Sequence, residues 1–168
     1  MILNIVLIGM PGCGKSTCGV LAAKLICKSF VDTDLIIQQN ENMTLQSIIN
    51  IKGKKHFEKC EEDAVCSLDV NNCVIATGGS VVYSEKAMEH LKRIGKIIYL
   101  HISFEDMQKR IKNADTRGIL FKSGTTLKDM YNERLKLYEK YADVSVAVGV
   151  NSVEQTAQSI INAVKGEV

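Results

Sequence analysis

The amino-acid sequence predicts an α/β fold in which one mostly parallel sheet lies between two layers of helices. Strand-like apolar runs alternate with helical runs along the whole chain, which is typical of such folds. Five of the runs have the length and composition of strands, and the first leads directly into the glycine-rich segment Gly9–Thr17. The sequence contains no repeat, low-complexity segment or interdomain linker, so residues 1–168 are predicted to form a single domain.

The composition argues against several classes of partner. Apolar residues make up 46% of the chain and charged residues 24%, which is typical of a soluble globular protein. The formal net charge of +2 is too small to indicate a nucleic acid or a membrane surface as partner. The apolar run Ile2–Ile8 is too short for a membrane span and lacks the basic leader of a signal peptide. We therefore expect a cytoplasmic monomer that acts on a small molecule.

Cysteine and histidine give no pattern that indicates a metal site. The six cysteines, at positions 13, 18, 27, 60, 66 and 73, contain no metal-type pair. Free, reduced thiols in a cytoplasmic protein are the better interpretation. Each histidine is expected to stand alone, as a surface or edge residue rather than a ligand: His56, His90 and His101.

The first elements are predicted to be a strand, a glycine-rich turn and a helix. Ile2–Ile8 consists mostly of branched apolar residues, as a buried parallel strand requires, and a helix should run from Lys15 to about Cys27. Gly9–Thr17 between them fits the pattern of glycine, four residues, then glycine-lysine-serine or threonine. Its glycines let backbone N–H groups converge on an anion, and the helix N-terminus adds the positive end of its dipole.

This segment predicts a nucleoside triphosphate site, because a chance lysine in a glycine-rich turn would lack the flanking strand and helix. Lys15 is expected to reach the outer phosphates, and the Ser16 hydroxyl to bind Mg²⁺. The residues expected to contact the nucleotide here are Gly12, Cys13, Gly14, Lys15, Ser16 and Thr17.

The remaining chain continues the alternation. Further strands are predicted at 30–32, 73–77, 96–102 and 144–148. A helix is predicted to open at Asp34, and others to cover 45–51, 56–68, 85–93, 104–112, 127–141 and 152–164. Thr44 is the predicted N-cap of the helix that Gly53 ends. Residues 113–124 have polar ends, two glycines and no clear period, which predicts a mobile loop.

Two strand ends besides the glycine-rich turn carry residues suited to chemistry. Ligands of open α/β sheets bind at the carboxyl ends of the strands. Phosphoryl transfer requires Mg²⁺ near the phosphates and an aligned acceptor hydroxyl, so Asp32 is expected to serve the metal and Asp34 the acceptor. Both acids could instead cap a helix. Gly78 and Gly79 would let the backbone approach a small substrate closely, although a plain turn is the alternative.

Three arginines are candidates for contacts with the ligands. Arg117 lies in the predicted mobile loop and could close over the phosphates, where it would stabilise charge on the γ-phosphoryl group. Arg110 could contact the nucleotide. Arg134 could hold the substrate, or it could lie on a solvated helix face and pair with Glu133 or Asp129. A solvated position is likewise the alternative for the other two.

With these positions assembled, the chain resembles the shikimate kinases, which are small phosphate-loop kinases related to nucleoside monophosphate kinases. The resemblance covers essentially the whole length. It is carried by Gly9–Thr17, Val31–Asp34, Gly53…Phe57…Glu61, Thr77–Gly79, Arg117…Leu120 and Arg134…Tyr138…Ala142. It implies transfer of the γ-phosphate of ATP to the 3-hydroxyl of shikimate, a step towards chorismate and the aromatic amino acids. It also implies a three-layer fold with strand order 2-3-1-4-5, a substrate-binding segment at 33–61 and a lid at 113–124.

The resemblance also implies a role for individual positions. Lys15 and Arg117 would contact phosphates and take part in catalysis with Asp34, which would bind and activate the acceptor hydroxyl. Ser16 and Asp32 would serve Mg²⁺. The substrate would be held by Gly78, Gly79 and Arg134, and the adenine flanked by Arg110 and Asn151.

The departures from the family pattern lie mainly on the acceptor side. Where the family has Gly-Glu-x-x-Phe-Arg-x-x-Glu, this chain has Glu58 at the arginine position, and a carboxylate there would repel a substrate carboxylate. The usual third glycine after Gly79 is Ser80, and the lid's Arg-Pro is replaced by Arg117-Gly118. Lys54, Lys55 or Lys59 could compensate for Glu58, although none of them occupies the same helical position.

Three functions are therefore compared. The leading one is an ATP-dependent small-molecule kinase that phosphorylates shikimate. The second keeps the reaction but takes a sugar acid, an amino-alcohol or a nucleotide as acceptor, and Glu58 favours it. The third is a nucleotide-binding regulatory module without an acceptor, which would not need Asp34, Arg117 and Arg134 together.

Overall fold

A computed structural model describes residues 4–112, 124–149 and 151–166 of the chain. Five parallel strands form one sheet in the order β2-β3-β1-β4-β5, which confirms the predicted order. The strands are β1 (Asn4–Gly9), β2 (Ser29–Asp32), β3 (Cys73–Ala76), β4 (Gly95–His101) and β5 (Val144–Ala147). Every residue of β1 is buried, as expected for the central strand of a sheet with helices on both faces.

The helices of the described residues agree closely with the sequence pattern. They are α1 (Lys15–Leu25), α2 (Thr33–Glu41), α3 (Leu45–Lys52), α4 (Lys54–Cys66), α5 (Glu85–Ile94), α6 (Phe104–Lys112), α7 (Leu127–Tyr141) and α8 (Val153–Lys165). Thr44 caps α3 as predicted, its side chain accepting from the Ser47 N–H. The helix predicted to begin at His56 begins at Lys54 instead, because Gly53 (φ 85°) ends α3 and opens α4 without an intervening loop. A short 3₁₀ turn at Val81–Tyr83 was not predicted.

A buried asparagine fixes the start of the central strand. The side-chain amide of Asn4 donates to the carbonyls of Val70 (2.7 Å) and Ile94 (2.9 Å). Its oxygen accepts from the N–H of Cys73 at 2.9 Å, so this buried polar group is well satisfied. Since these bonds tie the start of β1 to β3 and to the end of α5, the opposite ends of the strands are held in register.

Helices α2, α3 and α4, which include the segment 33–61, share a small apolar cluster separate from the main core. Ile37 of α2, Ile48 of α3, and Phe57 and Ala64 of α4 are all buried and form this cluster. The three helices therefore pack as a unit beside the sheet. Its role as the substrate-binding segment remains a prediction.

Several expectations concern other parts of the chain. The predicted lid, including Arg117, lies outside the described residues except for Gly124. All six cysteines lie in the described ranges and all are free, as expected. Among the described helices, none is both long and apolar enough to cross a membrane.

Candidate functional site

The carboxyl ends of β1, β2 and β3 surround a cavity of about 270 Å³, here termed the central cavity. Such an edge is the usual ligand position in an open parallel sheet. The predicted site residues that line this cavity are Gly12, Gly14, Lys15, Ser16, Thr17, Asp32, Asp34, Gly78, Gly79 and Arg134. The fold thus brings phosphate-side and acceptor-side candidates from distant parts of the chain into one space.

The glycine-rich loop presents an uncapped helix N-terminus to the central cavity. Gly14 occupies the N-cap position of α1 with φ 98°, a left-handed conformation that favours glycine. Within the described part of the chain, no side chain hydrogen-bonds to the first turn of the helix at this cap. The N–H groups of that turn can therefore be satisfied by an anion, with the helix dipole adding to the attraction.

The Lys15 ammonium is folded against the loop that precedes it. The side chain is buried, and Nζ donates to the carbonyls of Gly9 (2.8 Å) and Met10 (2.9 Å). Its third neighbour is the Cys13 sulfur, at 3.7 Å. These neutral partners hold the cation beside the cavity, where a phosphate group would compete with them by offering a charged acceptor.

Asp32 is both a helix cap and a residue of the cavity. Its Oδ1 accepts from the Asp34 N–H at 3.0 Å and so caps α2, which is the alternative role considered for it. Capping does not remove it from the site, since Asp32 lines the central cavity together with Ser16 and Asp34. One hydroxyl and two carboxylates on one cavity are hard oxygen ligands of the kind that Mg²⁺ prefers.

The glycine pair after β3 lies too close to other side chains to carry a Cβ atom freely. A Cβ on Gly78 would collide with Oε1 of Glu61 and lie 3.0 Å from Oδ1 of Asp34. A Cβ on Gly79 would lie 3.1 Å from Nη1 of Arg134 and 3.2 Å from Pro11. A Cβ atom at either position would therefore require neighbouring side chains to shift, and a role of these glycines in substrate approach stays a prediction.

Arg134 is buried rather than solvated, with only 1% of the residue exposed. The alternative that it lies on a solvated face of α7 is therefore wrong. Its guanidinium lies over the ring of Tyr83, 5.3 Å from the ring centroid. One turn along α7, the Tyr138 hydroxyl donates to the Gly79 carbonyl at 2.5 Å. Helix α7 thus holds both the guanidinium and the loop after β3.

Glu61 and Ser80 also line the central cavity, although neither was among the predicted site residues. Glu61 is 4% exposed, and the Ser80 hydroxyl donates to its Oε2 at 2.5 Å. Burial raises the pKa of Glu61 to about 7, and the nearby Asp34 acts in the same direction, while Ser80 and Arg134 oppose the rise. The signal that could have indicated Glu61 is its spacing from Phe57, which places both on one face of α4.

Glu58 is the predicted substrate contact that the fold does not bring to the central cavity. It lies one residue after Phe57, about 100° further around α4, and its side chain is 43% exposed. Its carboxylate is 3.7 Å from the Lys54 ammonium. Glu58 lines a neighbouring cavity of about 460 Å³, here termed the lateral cavity, together with Lys54, Lys55 and Lys59.

The residues that are candidates for contacts with the nucleotide base lie on the other side of the glycine-rich loop. Arg110 donates through Nη1 to the Gly12 carbonyl and through Nη2 to the Gly149 carbonyl, both at 3.2 Å. It lines a third cavity, of about 240 Å³, with Cys13 and Asn151. Arg110 therefore joins the loop to the segment after β5 and is not a purely solvated residue.

One expectation about histidine is wrong. His56 was expected to stand alone, but its Nε2 lies 3.2 Å from Glu41 Oε2, and Cys60 approaches the same carboxylate. The cause is the packing of α2 against α4, which brings together residues far apart in the sequence.

The parallel sheet and the glycine-rich loop at its carboxyl edge agree with the similarity to known proteins, which identifies a phosphate-loop kinase, a phosphotransferase that acts on a hydroxyl group. The chain belongs to the shikimate kinase family, whose family model matches residues 11–165. It is 38% identical over 141 residues to the shikimate kinase of Clostridium botulinum (strain 657 / Type Ba4), which covers 82% of this chain and 83% of that protein.

Two further relatives extend the similarity to nearly the whole chain. The shikimate kinase of Alkaliphilus oremlandii is 34% identical over 166 residues, which cover 96% of this chain and 98% of that protein. The structure of shikimate kinase from Acinetobacter baumannii in complex with shikimate has a TM-score of 0.91 and 27% identity, covering 99% of this chain and 94% of that chain.

Proposed function

We propose that this protein transfers the γ-phosphoryl group of ATP to the 3-hydroxyl of shikimate. The observation that carries the proposal is the buried Arg134 guanidinium on the same cavity as the uncapped glycine-rich loop. A buried guanidinium suits an acceptor that carries a carboxylate. The similarity to a shikimate kinase in complex with shikimate supports the same acceptor.

The residues divide into a phosphate side and an acceptor side. On the phosphate side, the N–H groups of the loop after β1 bind the phosphates, and Lys15 neutralises charge on the outer ones. On the acceptor side, Asp34 accepts the hydroxyl proton as the acceptor oxygen forms its bond to the γ-phosphorus. The bond from that phosphorus to the bridging oxygen breaks, and ADP leaves. Gly78, Gly79 and Arg134 hold the acceptor in place.

Magnesium is part of the proposal, since the hydroxyl and carboxylates on the central cavity suit it. Ser16 and Asp32 would hold the ion. When bound, it would neutralise phosphate charge and help to align the γ-phosphoryl group. Arg117 as the lid arginine, and Arg110 and Asn151 as neighbours of the adenine, are proposed from the family resemblance. A cytoplasmic location and a monomeric state also remain predictions.

A different hydroxylated acceptor is the second candidate. It is favoured by Glu58, which pairs with Lys54 and lines the lateral cavity beside the acceptor residues. Glu61 and Ser80 line both cavities, so an acceptor with a cationic or hydroxyl-rich extension could reach Glu58 past them. A sugar acid, an amino-alcohol or a nucleotide would then replace shikimate.

The test is ADP release from Mg·ATP, with and without shikimate, by wild type and Glu58→Arg. Strong shikimate-dependent turnover in the wild type would support the first proposal and direct attention to the lysines of the lateral cavity. Activity that appears only in Glu58→Arg would favour another natural acceptor on intact phosphoryl-transfer machinery. Turnover of ATP that no small metabolite alters, in either protein, would contradict both and favour a regulatory module.

A further inference from the structure

Three side chains with different donor atoms meet where the end of α2 packs beside α4. Glu41 is the last residue of α2, and His56 and Cys60 lie one turn apart on α4. Glu41 and Cys60 are partly buried, His56 is exposed, and one donor atom from each lies within 4.8 Å of the others. None of the three lines the central cavity, so the phosphoryl-transfer machinery does not account for this cluster.

The separations of these donor atoms fit a small tetrahedral ion. Bonds of about 2.0 Å to nitrogen and oxygen and about 2.3 Å to sulfur require N···O separations of about 3.3 Å and O···S separations of about 3.5 Å. The observed distances are 3.2 Å from His56 Nε2 to Glu41 Oε2 and 3.5 Å from Cys60 Sγ to Glu41 Oε1. The two contacts end on different oxygens of the Glu41 carboxylate, so rotation of the side chains has to bring one of these oxygens, the imidazole and the thiol around a single ion.

We propose that Glu41, His56 and Cys60 form a binding site for a divalent cation of the zinc class, with water as the fourth ligand. A nitrogen, a sulfur and one carboxylate suit zinc, whereas Mg²⁺ prefers an all-oxygen set. On binding, the Cys60 thiol proton passes to water and the thiolate takes the metal. The imidazole binds through Nε2 with its proton on Nδ1. The His56 side chain is 41% exposed, which leaves access for the water ligand.

Lys52 is the natural competitor of the metal. Its ammonium lies 2.6 Å from Glu41 Oε2 and offsets the negative charge that would attract a cation. The ion would join α2 to α4, the helices that carry Asp34 and Glu61 to the central cavity. Zinc should therefore raise the melting temperature of the protein, because it binds an arrangement that only the folded chain provides.

The experiment is a calorimetric zinc titration of the full chain in excess Mg²⁺, which occupies hard oxygen sites, followed by titration with Co²⁺ as a spectroscopic probe. The wild type should bind one zinc ion and show a thiolate-to-cobalt charge-transfer band. Cys60→Ser should abolish that band, and Cys60→Ser and His56→Ala should each weaken zinc binding by about tenfold or more. Lys52→Gln should tighten zinc binding, and Cys27→Ser, which removes an exposed thiol elsewhere, should change nothing.

Circular dichroism establishes that each variant is folded before the affinities are compared. Zinc binding that is equally tight in folded Cys60→Ser or His56→Ala would overturn the site. So would a charge-transfer band that survives Cys60→Ser but disappears in Cys27→Ser. The Lys52→Gln variant keeps all three proposed ligands. Zinc affinity in this variant that is unchanged or weaker than in the wild type would also count against the proposal. The inference does not rest on the proposed kinase reaction, since its readout is metal binding.

Discussion

The Ser80 hydroxyl donates a 2.5 Å hydrogen bond to Oε2 of the buried Glu61. These two side chains line both the central cavity and the lateral cavity, so the bond lies at the boundary between the two spaces. Ser80 stands where the family pattern has a glycine, which has no side chain to make such a bond. Ser80 therefore supplies a buried hydrogen bond to Glu61 that the family pattern lacks.

Ser80→Ala should destabilise the protein. It leaves a buried carboxyl group with one donor fewer, and we expect the free energy of unfolding to fall by about 1–3 kcal/mol. Urea denaturation at neutral pH measures the change. The matched control is Ser159→Ala, which removes an exposed hydroxyl bonded to the Gln155 carbonyl and should have little effect. Equal stability of Ser80→Ala and wild type would show that the bond contributes nothing.

Glu61 should make stability depend on pH. Burial raises the pKa of Glu61 to about 7, above its ordinary value of 4.5, so the folded protein holds a proton that the unfolded chain releases. Its contribution is fully present below pH 4.5 and is lost as the pH rises through about 7, a change on the order of 3 kcal/mol.

Glu61→Gln tests this pH dependence, because the glutamine side chain has no carboxyl group that can titrate. Unfolding free energies measured between pH 4.5 and 8 should lose the downward slope that Glu61 contributes in the wild type. Glu89→Gln, an exposed position on α5, serves as the control and should keep the wild-type slope. If the slope persisted unchanged in Glu61→Gln, the pH dependence of stability would arise from groups other than Glu61.

Lys15→Met should abolish most of the phosphoryl transfer. Removing a cation aimed at the charge that develops on the transferred group should lower kcat by about 10²–10³. ADP release under saturating Mg·ATP measures the effect. Lys24→Met removes an exposed lysine from the same helix and should behave as wild type. If both variants retained wild-type kcat, Lys15 would have no role in the transfer step.

Arg134→Lys should weaken acceptor binding while it keeps the positive charge. A lysine cannot form the planar, bidentate contact with a carboxylate, so the KM for shikimate should rise at least tenfold with the KM for ATP nearly unchanged. Initial rates with each substrate varied separately distinguish the two constants. Arg93→Lys, on the last turn of α5, is the matched control. A rise confined to the KM for ATP would place Arg134 on the nucleotide side.

Arg117→Ala should cut turnover far more than nucleotide affinity, because the proposed lid arginine acts on charge that develops during transfer. Steady-state ADP release gives the turnover, and equilibrium titration with ADP gives the affinity. The proposal requires turnover to fall much further than the affinity for ADP. Turnover equal to that of the wild type would remove Arg117 from the mechanism.

The sequence alone could predict those site residues that belong to a single motif or lie at the end of a predicted strand. Gly9–Thr17 begins at the last residue of β1, Asp32 ends β2 and Asp34 lies two residues further on, and the carboxyl ends of parallel strands meet at one edge of the sheet. Strand order came from the family resemblance, because apolar periodicity gives the existence of strands but not which of them are neighbours. The whole order agrees with the structure.

The residues that sequence reasoning missed depend on packing between helices. Glu61 is charged, and charged residues are rarely buried, so composition gave no reason to place it in the core. Glu41 lies 15 residues from His56 and 19 from Cys60, and no local pattern indicates that α2 packs against α4 at that point. The family motif places Glu58 at the acceptor. The direction of its side chain, however, depends on its rotational position around α4, which puts it in the lateral cavity.

The sheet order has a consequence for how this enzyme family can change over time. The glycine-rich loop follows β1, the glycines proposed to approach the acceptor follow β3, and the two strands are direct neighbours. Backbone hydrogen bonds set their spacing at about 4.8 Å, whichever side chains they carry. The spacing of the two strands thus fixes the distance between the start of the loop after β1 and the start of the loop after β3. If α4 contacts the acceptor as proposed, we expect substitutions in α4 to change the preferred acceptor while the spacing of β1 and β3 stays the same.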